Sequence, residues 1–135
     1  MTDEGGSLSA FLAVLAVALF VLVGLVLDGG RILSAKRTAM DVAEQAARTG
    51  ADQLSLDALR AGQFVVDPSA ASTAVARYLA AAGQSGTVEI SGSTVVVHVE
   101  TTVHTVVLGI VGINKISVAS SATATNVHGV TQEDQ

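Results

Sequence analysis

Residues 8–27 read LSAFLAVLAVALFVLVGLVL, an apolar run of 20 residues with no charge and no proline. At about 1.5 Å rise per residue, a helix of that length covers the roughly 30 Å hydrocarbon core of a bilayer. The flanks decide how to read it. Ahead of the run stand Thr2, Asp3, Glu4, Gly5, Gly6 and Ser7, which are acidic rather than basic. After it, Val26-Leu27-Asp28 offers no small-x-small pattern. A cleaved secretory signal needs a basic leader, an apolar core of about 7–15 residues and such a cleavage site. The run therefore reads as a transmembrane helix. It stops at Asp28-Gly29-Gly30-Arg31, but the helix-forming pattern resumes at once and runs on to about Leu59.

Working outward, residues 28–62 read as the same helix continuing out of the membrane, closed by Gly62 at its C-terminal end. Ala35, Ala39, Ala43, Ala47 and Ala51 recur every fourth residue and so fall on one face as a narrow stripe. Small side chains let another backbone approach closely. The bland alternative is that alanine is simply the best helix former. Joined to a membrane span, the stripe is expected to be a helix-packing surface for neighbouring subunits.

Residues 63–127 read as a small α+β domain. Gln63 to Val66 is an extended link, and Asp67-Pro68 opens a helix, with Asp67 as N-cap and Pro68 at the first helical position. Ala71, Val75, Tyr78, Leu79 and Ala82 share one face, and Gly83 ends the helix. Thr87–Ser91 and Thr94–His104 alternate like strands joined by a tight Gly92-Ser93 turn, and a last strand runs from Ile116 to Val127. Between the last two strands, residues 106–113 (VVLGIVGI) are apolar without alternation, which predicts a short helix or a buried crossover. The expected fold is a long N-terminal transmembrane and amphipathic helix, plus one helix packed on a three-stranded antiparallel sheet. Residues 1–7 form a leader on the cytoplasmic side, and residues 128–135 a flexible tail.

Composition narrows the function. One domain plus an anchor fits 135 residues. Aromatic residues make up 3%, and the net charge is −5 with 7 basic residues spread along the chain, which argues against a nucleic-acid partner. The chain has no cysteine, so disulfides, thiolate metal sites and cysteine nucleophiles are excluded together. His98, Glu100 and His104 share one strand face, but His104 lies about 20 Å from His98 along the strand. One zinc ion with bonds of about 2 Å cannot join them, so that face reads as solvated. Gly29-Gly30, Gly83 and Gly86 form no phosphate-binding loop. Asp28 and Arg31, three residues apart at the membrane edge, are placed to pair across one helical turn. The residues suggest no catalytic, metal or cofactor site, and the expectation is a non-enzyme.

Leu27-Asp28-Gly29-Gly30-Arg31, followed by residues 40–51 (MDVAEQAARTGA), resembles the N-terminal signature of the TadE/TadG-like proteins, pseudopilin-type components of the tight-adherence (Flp) pilus machinery. In that family an apolar span ends at Asp, usually an aromatic, then Gly-Arg. Asp28, Gly30 and Arg31 match, and Gly29 replaces the aromatic. The resemblance covers roughly residues 5–60. It implies a single-pass protein of the bacterial cytoplasmic membrane, with its C-terminal domain extracytoplasmic and pilin-like subunits or pilus machinery as partners. Homo- or hetero-oligomers would then form through the N-terminal helix. Arg31, Lys36 and Arg37 after the span point the other way by the positive-inside tendency, and the family pattern is preferred here. Gly6-Ser7 is a candidate processing site. The fifth residue after that cut is Phe11, where prepilin-like members carry Glu. This departure points to a minor, tip or envelope-retained subunit rather than a major filament protein. The competing class is an anchored extracytoplasmic binding module with no filament role.

Overall fold

The computed structural model describes residues 4–110 and 112–126. Its elements are α1 (Glu4–Ala51), α2 (Leu56–Arg60), α3 (Pro68–Ala81), β1 (Ser85–Ser91), β2 (Thr94–His104), α4 (Val107–Ile110) and β3 (Lys115–Thr125). The fold is α+β, as the sequence predicts: a long apolar N-terminal helix, and a helix with a three-stranded antiparallel sheet in the order β1-β2-β3. Contacts group into two units. One joins the described residues up to Ser34 with Thr102–Ile116; the other joins Ala35–Thr101 with the described residues from Ser117 onward.

In the second unit, β1 and β2 pair antiparallel from Ser85↔Glu100 to Ser91↔Thr94. The closing turn has Gly92 at φ 60°, a backbone region that glycine enters without steric cost. Alternation along β2 buries Val95, Val97 and Val99 and leaves His98 and Glu100 exposed. The N-cap reading of α3 holds, since the Asp67 carboxylate accepts the N–H of Ser69 and Ala70 at 2.9 and 3.0 Å. Ala71, Val75 and Leu79 of α3 then face the valines of β2.

The remaining side of this core is the alanine face of α1. Ala39, Ala43, Ala46 and Ala47 are 0% exposed and Ala51 5%, clustered with Val66, Val75 and the β2 valines; Ala35 is half-buried. Gly50 extends this close approach: a Cβ there would lie 2.9 Å from Val75 Cγ2 and 3.0 Å from Val95 Cγ1. This corrects the expectation for the stripe. The backbone that approaches it belongs to the chain's own sheet and α3, so Ala39 to Ala51 are not open to a neighbouring helix. The physical reason is core composition. With valines as its largest fully buried side chains, the core leaves a narrow interlayer gap that only alanine and glycine fit.

The long helix also ends earlier than Gly62. Past Ala51 the chain turns, and residues 53–55 lie antiparallel to residues 65–67. Asp67 N–H donates to Gln53 O at 2.8 Å, and Ser55 N–H to Val65 O at 2.8 Å. Asn126 Nδ2 donates to the Ala51 carbonyl at 3.3 Å, satisfying an acceptor that the helix end leaves open. Ser55 then caps the separate five-residue α2. Gly62, at φ 74°, follows α2 rather than the long helix. Helix propensity alone runs through this stretch; the tertiary bonds stop it.

At the other boundaries, α1 already includes Glu4 to Ser7, where the sequence suggests a separate leader. Residues 1–3 of that leader, Val127 and the tail 128–135 lie outside the described residues.

Replacing Ala43 and Ala47 together by leucine keeps helix propensity to within a few tenths of a kcal/mol. It overfills a closed interface at a typical cost of about 1–3 kcal/mol per site. Urea denaturation of the full-length protein in detergent, followed by circular dichroism, should show the domain transition at clearly lower urea. An unchanged midpoint would contradict this packing.

Candidate functional site

Helix α1 carries the apolar run with its side chains outward. Between residues 8 and 27 every residue is exposed except Gly24, and Phe20 is 77% and Val26 74% accessible. A helix that apolar on all sides normally lies in a large core or in lipid. Its most apolar stretch has a mean hydropathy of 3.1, so the helix is long and apolar enough to cross a membrane.

Gly24 is buried because the β2–β3 connection lies against it: a Cβ at Gly24 would fall 2.1 Å from Val107 Cγ2. One helical turn later on the same face comes Asp28, 1% exposed and the only buried charged residue of the described chain. Its carboxylate does not bond Arg31. Oδ1 accepts the N–H of Val106 at 3.0 Å, and Oδ2 accepts those of Val107 and Leu108 at 2.8 and 3.0 Å. These amides open α4, whose first N–H groups have no partner inside the helix. Asp28 thus caps a helix about 80 residues away in sequence, as an Asx residue would cap its own.

Three amide donors on one carboxylate favour its ionised form. For Asp28, the first residue past the apolar run, the Leu108 and Val106 amides hold the carboxyl below its ordinary value of 3.8. Burial opposes them; the Val107 amide and the Arg31 charge reinforce them.

The rest of the connection closes on itself. Thr105 N–H donates to Asn114 O at 3.2 Å, the Thr105 hydroxyl donates to Ile113 O, and Ile113 N–H donates to Leu108 O at 2.9 Å. Gly112, at φ 94°, turns the chain back. The expected short helix is therefore present as α4. The buried crossover is not, because Val106, Ile110 and Ile113 are exposed.

Of the sequence-predicted residues, Asp28 has a built environment, but through amide capping instead of the expected turn pairing with Arg31. Ion pairs among the described residues are Glu44–Arg48 and Asp57–Arg60, both exposed. Gly30 has open space where a Cβ would stand, and Arg31 is exposed. Gly6 and Ser7 lie exposed in the first turns of α1. His98, Glu100 and His104 are exposed, and the described residues hold no group of three His, Asp or Glu able to share a metal. Sequence reasoning missed Gly24 and the amides of residues 106–108. The available signal was the spacing: a glycine in the apolar run, four residues before a lone acid.

Residues 6–53 match the family model described as "Putative Flp pilus-assembly TadE/G-like". The matched segment is α1 with the two residues after it. No curated protein and no solved structure matches the chain.

Replacing Asp28 by alanine removes all three acceptor contacts, and Asp28→Asn keeps one carbonyl oxygen without the charge. Hydrogen exchange read by mass spectrometry should find residues 106–108 protected in the parent, partly protected in Asp28→Asn and unprotected in Asp28→Ala. Because docking lowers the Asp28 pKa, its contribution is present above the ordinary value of 3.8 and is lost as pH falls through the lower, docked-state value. Equal exchange in all three proteins at neutral pH would remove Asp28 from this role.

Proposed function

We propose that this chain is a minor, pseudopilin-like structural subunit of a Tad/Flp-type pilus or a related envelope assembly. Leu8–Leu27 anchors it as a single span in the bacterial cytoplasmic membrane, with the sheet domain on the extracytoplasmic side. The observation that carries the reading is the coincidence of two facts on one helix. Residues 6–53 match a pilus-assembly family, and residues 8–27 of that segment present an almost unbroken exposed apolar surface. In such a subunit the anchor helix makes contacts in the membrane, and the domain is presented outside it. Phe11, standing where a filament-forming pilin carries a glutamate, favours a minor role over bulk polymerisation. The alanine face supports no part of this reading, since it is filled from within the chain.

Two measurements test it. A photo-crosslinking residue at Phe20 or Val26, in the native host, should give adducts with pilus-assembly proteins. Lipid adducts alone would favour a solitary anchored module. A single cysteine at Ser91, in a chain that has none of its own, should react with an impermeant maleimide in intact spheroplasts. Reaction only after lysis would reverse the topology. Intact mass from the same host decides processing: a chain beginning at Ser7 marks cleavage, and one retaining Asp3 and Glu4 marks an uncleaved leader.

A further inference from the structure

We propose that the β2–β3 connection is a second membrane-contacting element, with Val107–Ile110 and the flanking Val106 and Ile113 inserted into the lipid leaflet beside the end of the span. The proposal rests on the reading of Leu8–Leu27 as a membrane span.

Val107 packs on Gly24, inside the apolar run and four residues before Asp28, which is about 6 Å along a helix axis. The connection therefore reaches back past the polar edge of the span, alongside residues that the span reading puts in hydrocarbon. Between the two lies an apolar notch of about 130 Å³ lined by Val21, Leu25, Val107, Leu108 and Ile110.

Ile110 is 83% and Val106 60% exposed, Ile113 is 48% exposed, and no charged residue lies between Thr105 and Asn114. Exposed isoleucine and valine clustered at this level suit acyl chains.

What suits this loop to lipid, beyond its greasy surface, is its satisfied backbone. Non-helical backbone is tolerated at membrane depth only where its polar groups find partners in the protein. The N–H groups of residues 106–108 are taken by the Asp28 carboxylate, and those of Thr105, Gly112 and Ile113 by carbonyls of the same connection. Asp28 supplies the acceptors that three amides would otherwise seek from water. The acid at the end of the span thereby makes a short apolar turn compatible with lipid.

The test uses full-length protein in phosphatidylcholine nanodiscs, where both faces of the bilayer are open to solvent. Single cysteines at Ile110, Ser91 and Val17 each carry a small environment-sensitive fluorophore, with Val106→Cys as a second loop position. Nitroxide-bearing lipids should quench the Ile110 and Val106 labels, and iodide quenching there should be lost relative to Ser91. The Val17 label should respond to deep nitroxides only. Iodide quenching at Ile110 and Val106 equal to that at Ser91 would overturn the proposal. Shielding from both quenchers would also overturn it, by showing a protein occupant such as a second copy. If the Val17 label itself escapes lipid quenching, the span reading fails and takes the loop with it. A quenched Val17 beside a water-exposed Ile110 sinks the loop alone.

Discussion

The domain depends on how closely a helix can approach a sheet when neither offers a large side chain. Ala39, Ala43, Ala46, Ala47 and Gly50 give α1 a face with almost no relief, and Val95, Val97 and Val99 answer it with short branched side chains. Burying each valine stabilises by roughly 1.5–3 kcal/mol, and only if the layers actually touch. A leucine-for-alanine helix would hold them apart, and a glycine-rich one would weaken the helix. The sheet has one covered face in this arrangement, which is why β2 alternates so cleanly and why His98 and Glu100 end up in solvent.

The same helix meets a second constraint before Ser34. There residues 8–31 are exposed, and the exceptions are Gly24 and Asp28. A buried carboxylate is costly unless it is hydrogen-bonded. Here the cost is offset by three amides that themselves lacked partners, so two separately unfavourable groups become one satisfied cap. Arg31 stays outside and acts only through its charge. Charge-assisted bonds to backbone N–H are stronger than neutral ones, so an aspartate suits this position better than an asparagine.

Much of this was legible in the chain. The long apolar helix, the Asp67-Pro68 helix start, the Gly92 turn and the β2 alternation each carry a local signature whose cause is local: hydropathy, a cap, a positive φ, a period of two. The misreadings share a different origin. The partner of the alanine stripe, the stop at Ala51 and the partner of Asp28 are all fixed by residues far off in sequence. Periodicity tells which face of a helix is small, but not what comes to lie on it. The clasp of residues 53–55 on 65–67 needs the returning strand before it exists. Likewise, Asp28 looks like a partner for Arg31 until three amides some 80 residues away are brought to it.

One consequence concerns where an assembly contact can form. A sequence reading directs attention to the alanine stripe, the natural seam for helix packing in a filament. With Ala39 to Ala51 closed against the sheet, that seam is unavailable without unfolding the domain. The faces of α1 left for a partner are the apolar surface of residues 8–27 and the exposed side bearing Leu33, Lys36, Arg37 and Met40. The first is apolar, with small residues standing among large ones; between helices in lipid, tight association comes from small residues and polar groups. The chain's own turn occupies Gly24, whereas Ala10, Ala13, Ala16 and Ala18 of the run stay exposed. The stripe from Ala39 to Ala51 is therefore closed, and what α1 leaves open is the apolar surface with these small residues and the charged band that follows Asp28.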